Sequence, residues 1–186
     1  FETLNNFDHG CNTDVFFALS HGVHRGKLKT GKFDDRAIFL KKLLEATKNV
    51  KFEIYGLNKI QPIWADHFYK TISSVKMGLN LSRGEPIKYY SSDRITQIIG
   101  NGLVTLIDEK TGYRDFFNDD EMIFYKSIND LSEKINRISK DEKLRKKIGY
   151  NGKLKYTKFF NSTIVADFII NKTFDIDDKK KYLWHK

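Results

Sequence analysis

Ser92, Arg94 and Gln97 bring a hydroxyl, a guanidinium and an amide together within six consecutive residues. Ser91 or Ser92 is the kind of residue that caps a helix. The segment that follows sets Ile95, Ile98 and Ile99 on one face and Arg94, Gln97 and Asn101 on the other. A helix N-terminus that carries an arginine suits a phosphate, because its free N–H groups and its dipole both favour an anion. A glycine-punctuated loop at residues 21–32 adds Arg25, Lys27, Lys29 and Lys32 without a single acid. His21 and His24 share that loop. An imidazole there can steady a phosphate or move a proton near neutral pH, or be an ordinary polar loop residue. Arg94 has a second reading as an ion-pair partner of Asp93 or Glu85, and Arg25 as a solvated loop charge.

Such side chains need elements to hold them. Residues 77–81 form a short apolar run, the helix after Ser92 ends at Gly100-Asn101-Gly102, and residues 103–107 run apolar without alternation. An unbroken apolar run reads as a parallel strand buried on both faces, and a glycine supplies the left-handed stop that ends a helix. Further strands are expected at 14–19, 50–55 (ended by Gly56) and 122–125. Helices are expected at about 34–47, 62–75, 129–148 and 162–172. Their inward residues would be Ile38, Leu40, Leu43 and Leu44 in the first, Trp64, Phe68 and Ile72 in the second, and Leu131, Ile135, Ile138 and Leu144 in the third. Strands alternating with helices predict an α/β fold with a doubly wound, Rossmann-like parallel sheet. In such a sheet ligands bind beyond the carboxyl ends of the strands.

Composition narrows the classes. With 186 residues, 40% hydrophobic and 14% aromatic, the chain can bury a sizeable core. No apolar run approaches the ~18 residues of a membrane span. The single cysteine, Cys11, excludes an internal disulfide and a Cys-rich zinc site and fits a reducing cytoplasm. The net charge of +9 suits a polyanionic partner or the solvated faces of lysine-rich helices. Phosphate-loop, dinucleotide and nucleophile-elbow patterns are absent. Asp175-x-Asp177 sits in a lysine-rich tail and is not read as a metal site.

Leu79-Asn80 closing a strand, a variable loop at 81–92, Arg94, Gln97, then Gly100 and Gly102 before an apolar strand carry a resemblance. The stretch resembles the donor-binding half of a GT-B-type glycosyltransferase, nearest the group named after spore-maturation glycosyltransferase-like proteins. More weakly, the resemblance extends over residues 14–167. It implies metal- and cofactor-independent transfer of a sugar from a nucleotide-sugar to a sugar, lipid or protein acceptor. The departing diphosphate would be stabilised by cations and backbone amides. Arg94, Ser92, Arg25 and Lys27 would hold that diphosphate. The family places an acidic residue at Gln97 to hold the ribose and, in related retaining enzymes, a glutamate at Tyr89. Neither carboxylate is present. Glu85 is the candidate substitute, with His21 as the second catalytic candidate. Tyr89, Tyr90 and Gly56 lie at strand ends and would frame the base; packing against the adjacent loop is the other reading of the tyrosines.

The domains expected are a linker at 1–13 from a preceding acceptor-binding domain, the nucleotide-sugar-binding domain at 14–174 and a charged tail at 175–186. The domain alone is expected to be inactive. Two other functions stay open: a non-catalytic binding or scaffold domain with this fold, motivated by the missing carboxylates, and a nucleic-acid-binding domain, motivated by charge. The latter finds aromatic residues interleaved with lysine only at residues 153–159 and is disfavoured.

Overall fold

The computed structural model describes residues 3–23, 34–57, 59–176 and 182–184, with backbone only at 20–23. Five strands, β1 (Thr13–Val23), β2 (Phe52–Leu57), β3 (Val75–Asn80), β4 (Val104–Asp108) and β5 (Ile123–Tyr125), form one sheet in the order β2-β1-β3-β4-β5. Every pairing is parallel. Six α-helices accompany them: α1 (Asp35–Ala46), α2 (Ala65–Ile72), α3 (Asp93–Gly100), α4 (Ile128–Lys140), α5 (Glu142–Phe159) and α6 (Ser162–Thr173).

Side chains that alternate along a strand leave on opposite faces. Val15, Phe17 and Leu19 of β1 therefore join Leu40 and Leu43 of α1 and Leu131, Ile135 and Ile138 of α4. Phe16 between them joins Ile72 of α2 and Ile98 of α3. β5 divides likewise, with Ile123 and Tyr125 on the α1/α4 face and Phe124 with Ile95 and Ile99 of α3. The sheet is thus wound on both sides, as the sequence predicts. β1 feeds a helix on one face and β3, its neighbour, feeds a helix on the other, which opens a crevice at their carboxyl ends.

Gly78 fixes how deep α3 lies. A Cβ placed there would sit 2.5 Å from Cγ1 of Ile98, so the helix rests directly on the β3 backbone. At the far end of α3, Gly102 takes the left-handed conformation (φ +80°) expected of the stop.

Several expectations are corrected. The helix expected over 129–148 is two helices, because Asp141 caps α5 by accepting from Leu144 N at 2.9 Å. Ile38 and Leu44 face solvent, leaving Leu40 and Leu43 to bury α1. The second helix begins at Ala65, not Pro62, and Trp64 before it is exposed. Gly56 does not end β2, which continues to Leu57. Asn101, placed by periodicity on the polar face, is fully buried: its Oδ1 accepts from Leu4 N and its Nδ2 donates to Gln97 O.

Residues 4–9, read from sequence as linker, are packed on the domain. Asn6 is buried and donates to the carbonyls of Ile72 and Val75. The Arg145 guanidinium, 1% exposed, donates to Asn6 O at 2.8 Å and His9 O at 2.7 Å and pairs with Glu142. At the other end, Tyr182 donates to Asp167 and Trp184 stacks on Phe160. Tyr182 and Trp184 are thus seated against α6 and the end of α5.

Three substitutions test this packing. Gly78→Ala is expected to destabilise by about 1–3 kcal/mol through overpacking, whereas Gly10→Ala, with nothing within 4 Å, should change stability by less than about 0.5 kcal/mol. Arg145→Ala is expected to cost roughly 3 kcal/mol, since two charge-assisted bonds to carbonyls are lost together. Urea denaturation measures all three.

Candidate functional site

The chain turns from β3 into α3 through residues 81–92, and Ser92 takes the N-cap position with extended backbone. Its hydroxyl does not cap the helix as expected; it donates to Asn80 Oδ1 at 3.3 Å. No side chain among the described residues caps this end of α3; Ile95 N–H donates to the Ser92 carbonyl at 3.0 Å, which leaves the N–H groups of Asp93 and Arg94 without a partner among the described residues.

Arg94 follows in the first turn. One Nη1–H donates to Leu81 O at 3.0 Å, and the guanidinium carbon lies 5.2 Å from the ring centroid of Phe17. No carboxylate among the described residues lies within ion-pair reach of it. The pairing with Asp93 or Glu85 is not formed; Glu85 stands exposed, 3.9 Å from Lys110. Burial, and secondly the field of Arg36, push the Arg94 guanidinium below its ordinary pKa. A half-buried cation with no counter-charge is costly to hold.

Arg36 is the opposite case. Its Nε donates to Asp34 Oδ1 at 2.9 Å and its Nη2 to Asp34 Oδ2 at 2.7 Å. Asp34 is fully buried and also caps α1 through Arg36 N at 3.0 Å. The bonds from Arg36 hold the Asp34 carboxyl below its usual range.

Two cavities open at the carboxyl ends of the strands. The larger, about 530 Å³, lies over β1 and the start of α3 and is lined by Phe16, Ile63, Trp64, Tyr90, Ser92, Arg94 and Gln97. The smaller, about 270 Å³, lies over β3, β4 and β5 and is lined by Arg36, Asn80, Glu85, Tyr90, Asp108 and Tyr125. Tyr90 is common to both.

The structure therefore brings together four of the residues singled out by sequence: Tyr90, Ser92, Arg94 and Gln97. Glu85 sits beside them in the smaller cavity. Tyr89 departs from its neighbour. Its backbone is left-handed (φ +61°), its hydroxyl donates to Asp115, and its ring lies 5.0 Å from Phe116 in an aromatic pocket under α6. Gly56 lines neither cavity; it lies against the backbone of Leu19. His21 lies on β1, with only its backbone described. His24, Arg25, Lys27, Lys29, Lys32 and Asn58 lie outside the described residues. Among the described residues no group of three His, Cys, Asp or Glu is arranged to hold a metal ion. No helix among them is long and apolar enough to cross a membrane. Sequence reasoning missed Arg36 and Tyr125, which read as helix and strand residues, and gave Asn80 no role although it closes a recognisable strand.

The family described as "Glycosyl transferase-like" matches residues 36–171. The chain belongs to the glycosyl transferase-like family. No curated protein was found to match it. Among solved structures, this glycosyl transferase-like chain resembles TarM with a TM-score of 0.60 at 14% identity, over 87% of its own length and 35% of TarM's. A TarM mutant from S. aureus, in complex with fondaparinux, alpha-GlcNAc-glycerol and UDP, matches at 0.60 and 15% identity, over 87% of this chain and 36% of that one. The C-terminal domain of the glycosyl transferase LpcC from Francisella tularensis matches at 0.53 and 13% identity, over 83% and 89%. The fold is thus the Rossmann-like α/β fold shared with these GT-B glycosyltransferases, and the chain spans about a third of TarM's length.

The Asp34–Arg36 pair gives a pH prediction. Asp34 has a folded pKa below its unfolded one. Its contribution is complete above the unfolded value of about 3.9 and is lost as pH falls through the depressed folded value. Asp34→Asn strands Arg36 and is expected to cost about 3–5 kcal/mol at neutral pH. Urea denaturation at a series of pH values should show that gap flat down to about pH 5 and shrinking below about pH 4.

Proposed function

We propose that this chain is the donor-binding domain of a glycosyltransferase that moves a sugar from a nucleotide-sugar to an acceptor hydroxyl. The observation that carries the reading is Arg94: a half-buried cation without a counter-charge among the described residues, at a helix N-terminus without a side-chain cap, in a cavity beyond the strand ends. Such a place is stabilised by an anion of matching shape, and a diphosphate supplies one. The TarM complex with UDP supports the choice of a nucleotide.

In this reading the bond between the anomeric carbon and the diphosphate oxygen breaks. Negative charge accumulates on the leaving diphosphate, where Arg94, Ser92 and the first N–H groups of α3 stabilise it without reorganising. Arg25 and Lys27 of the basic loop complete the cation set. Gln97 hydrogen-bonds the ribose, and Tyr90 with Ile63 and Trp64 supplies the apolar wall for the base. An acceptor hydroxyl on a sugar, lipid or protein attacks the anomeric carbon, with His21 or Glu85 taking its proton. The reaction needs no metal in this scheme. We place the chain in the spore-maturation-like group, in the cytoplasm, with the acceptor bound by a preceding domain.

A non-catalytic binding domain is the second reading. It is favoured by one observation: Gln97 and Tyr89 stand where the family's carboxylates are expected, and Tyr89 faces away from the larger cavity. Turnover of a bound nucleotide-sugar in the presence of the preceding domain separates the two.

Titration with nucleoside diphosphates and nucleotide-sugars tests donor binding. Arg94→Ala is expected to weaken diphosphate affinity by about 1.5–3 kcal/mol and Arg94→Lys to recover part of it, because an ammonium lacks the planar fork. Gln97→Glu should leave binding unchanged or tighten it. Stability should barely move. If Arg94→Ala leaves affinity intact while lowering stability, Arg94 is a structural residue and the diphosphate lies elsewhere.

A further inference from the structure

The last helix, α6, is apolar on both of its sides. Inward, Phe168 meets Tyr182 edge-on at 4.9 Å and Trp184 edge-on at 5.8 Å. Outward, Val165 and Ile169 form one row at four-residue spacing, and Ala166, Ile170 and Phe174 form the next. Ile169 is 56% exposed, Ile170 50% and Phe174 72%. The polar residues beside these rows are Thr163 and Thr173, which carry no charge, and no residue of the helix is buried. A helix that is apolar all round ordinarily lies inside a protein or against lipid. A continuous exposed strip of this kind marks an interaction surface.

The charges around the strip select the partner. Across α5 and α6, eight lysines and arginines stand against two acids, Glu142 and Asp167. Both acids are engaged, Glu142 with Arg145 and Asp167 with the Tyr182 hydroxyl. Lys158 lies in the last turn of α5, just before α6, and Lys172 in the last turn of α6; both are exposed. Asp175, exposed beside Phe174, is the acid at the edge of the strip. A two-fold contact with a second copy would set the same lysines against one another. A surface of anionic headgroups instead attracts the lysines and admits the apolar rows between them. The 12 residues of α6 span about 18 Å. That is too short to cross a hydrocarbon core of about 30 Å, so a helix of this length lies flat in the interface.

We propose that α6 docks this domain on an anionic membrane surface, with Ile170 and Phe174 entering the headgroup region and Lys158 and Lys172 against the lipid phosphates. The inference stands independently of the donor-binding reading.

Cosedimentation of the full chain with vesicles tests it, with equal parts of phosphatidylcholine and phosphatidylglycerol set against phosphatidylcholine alone. The mixed vesicles are expected to bind at least roughly tenfold more tightly. Ile170→Gln and Phe174→Gln should each weaken that binding roughly three- to tenfold. Lys158→Gln combined with Lys172→Gln should weaken it roughly tenfold or more. Asp175→Asn should tighten it, at a left-handed position (φ +49°) that asparagine tolerates. All these side chains are exposed, so the urea midpoint of each variant should match that of the parent. A chain of net charge +9 adsorbs to anionic lipid through any basic face, and the apolar variants therefore decide the matter. Binding that Ile170→Gln and Phe174→Gln leave unchanged is such adsorption and overturns the role of α6. Absence of binding to the mixed vesicles overturns it as well. A dimer in light scattering that Phe174→Gln dissolves assigns the strip to a second copy and likewise overturns the proposal.

Discussion

Everything at the carboxyl end of the sheet depends on how closely α3 can approach β3. The helix is short, and its apolar residues Ile95, Ile98 and Ile99 are nearly fully buried. Ile98 lies against the bare Cα of Gly78. That contact sets the height of the helix, and with it the position of its first N–H groups and of Arg94. A side chain at Gly78 would lift the isoleucine face, and the polar face would move with it. The geometry of this side of the crevice therefore rests on an apolar contact on the reverse side of the helix, in the way that packed elements transmit small displacements.

The two arginines near the crevice show how a protein can treat the same charge in two ways. Arg36 is locked to a buried Asp34 by two bonds and serves the local structure of α1. Among the described residues Arg94 has only a carbonyl and an aromatic face. The first is compensated within the fold and the second is not. Their mutual repulsion adds to the cost of burying the Arg94 charge, a cost that an anion seated beside it would relieve. The asymmetry, more than the presence of basic residues, marks the site.

The fold was legible where it depended on local pattern. The unbroken apolar run of β4 announced a parallel strand with two covered faces, and the isoleucine spacing of α3 announced its orientation. Asp141 caps α5, but it lies inside a continuous helical periodicity that reads as one helix. Asn101 was misplaced because its partner, Leu4, lies 97 residues away. Distant pairing also hid Tyr125 and Asn80, which line one cavity only because β3 and β5 flank β4. Tyr89 and Tyr90 looked equivalent in sequence; a left-handed backbone at Tyr89 sends the first ring to Phe116 and leaves the second at the crevice. Periodicity sees faces of elements, and these residues were decided by contacts between elements.

The Tyr90 ring is a wall of both cavities at once. A single wall cannot adapt to two occupants independently. An occupant that presses the ring toward the smaller cavity changes the space available there, and one that props it from the smaller side changes the larger. Two ligands seated there would be linked in the thermodynamic sense: whatever factor one imposed on the affinity of the other would be returned in equal measure. The Tyr90 side chain, turning about χ1 and χ2, would be the element through which they are coupled.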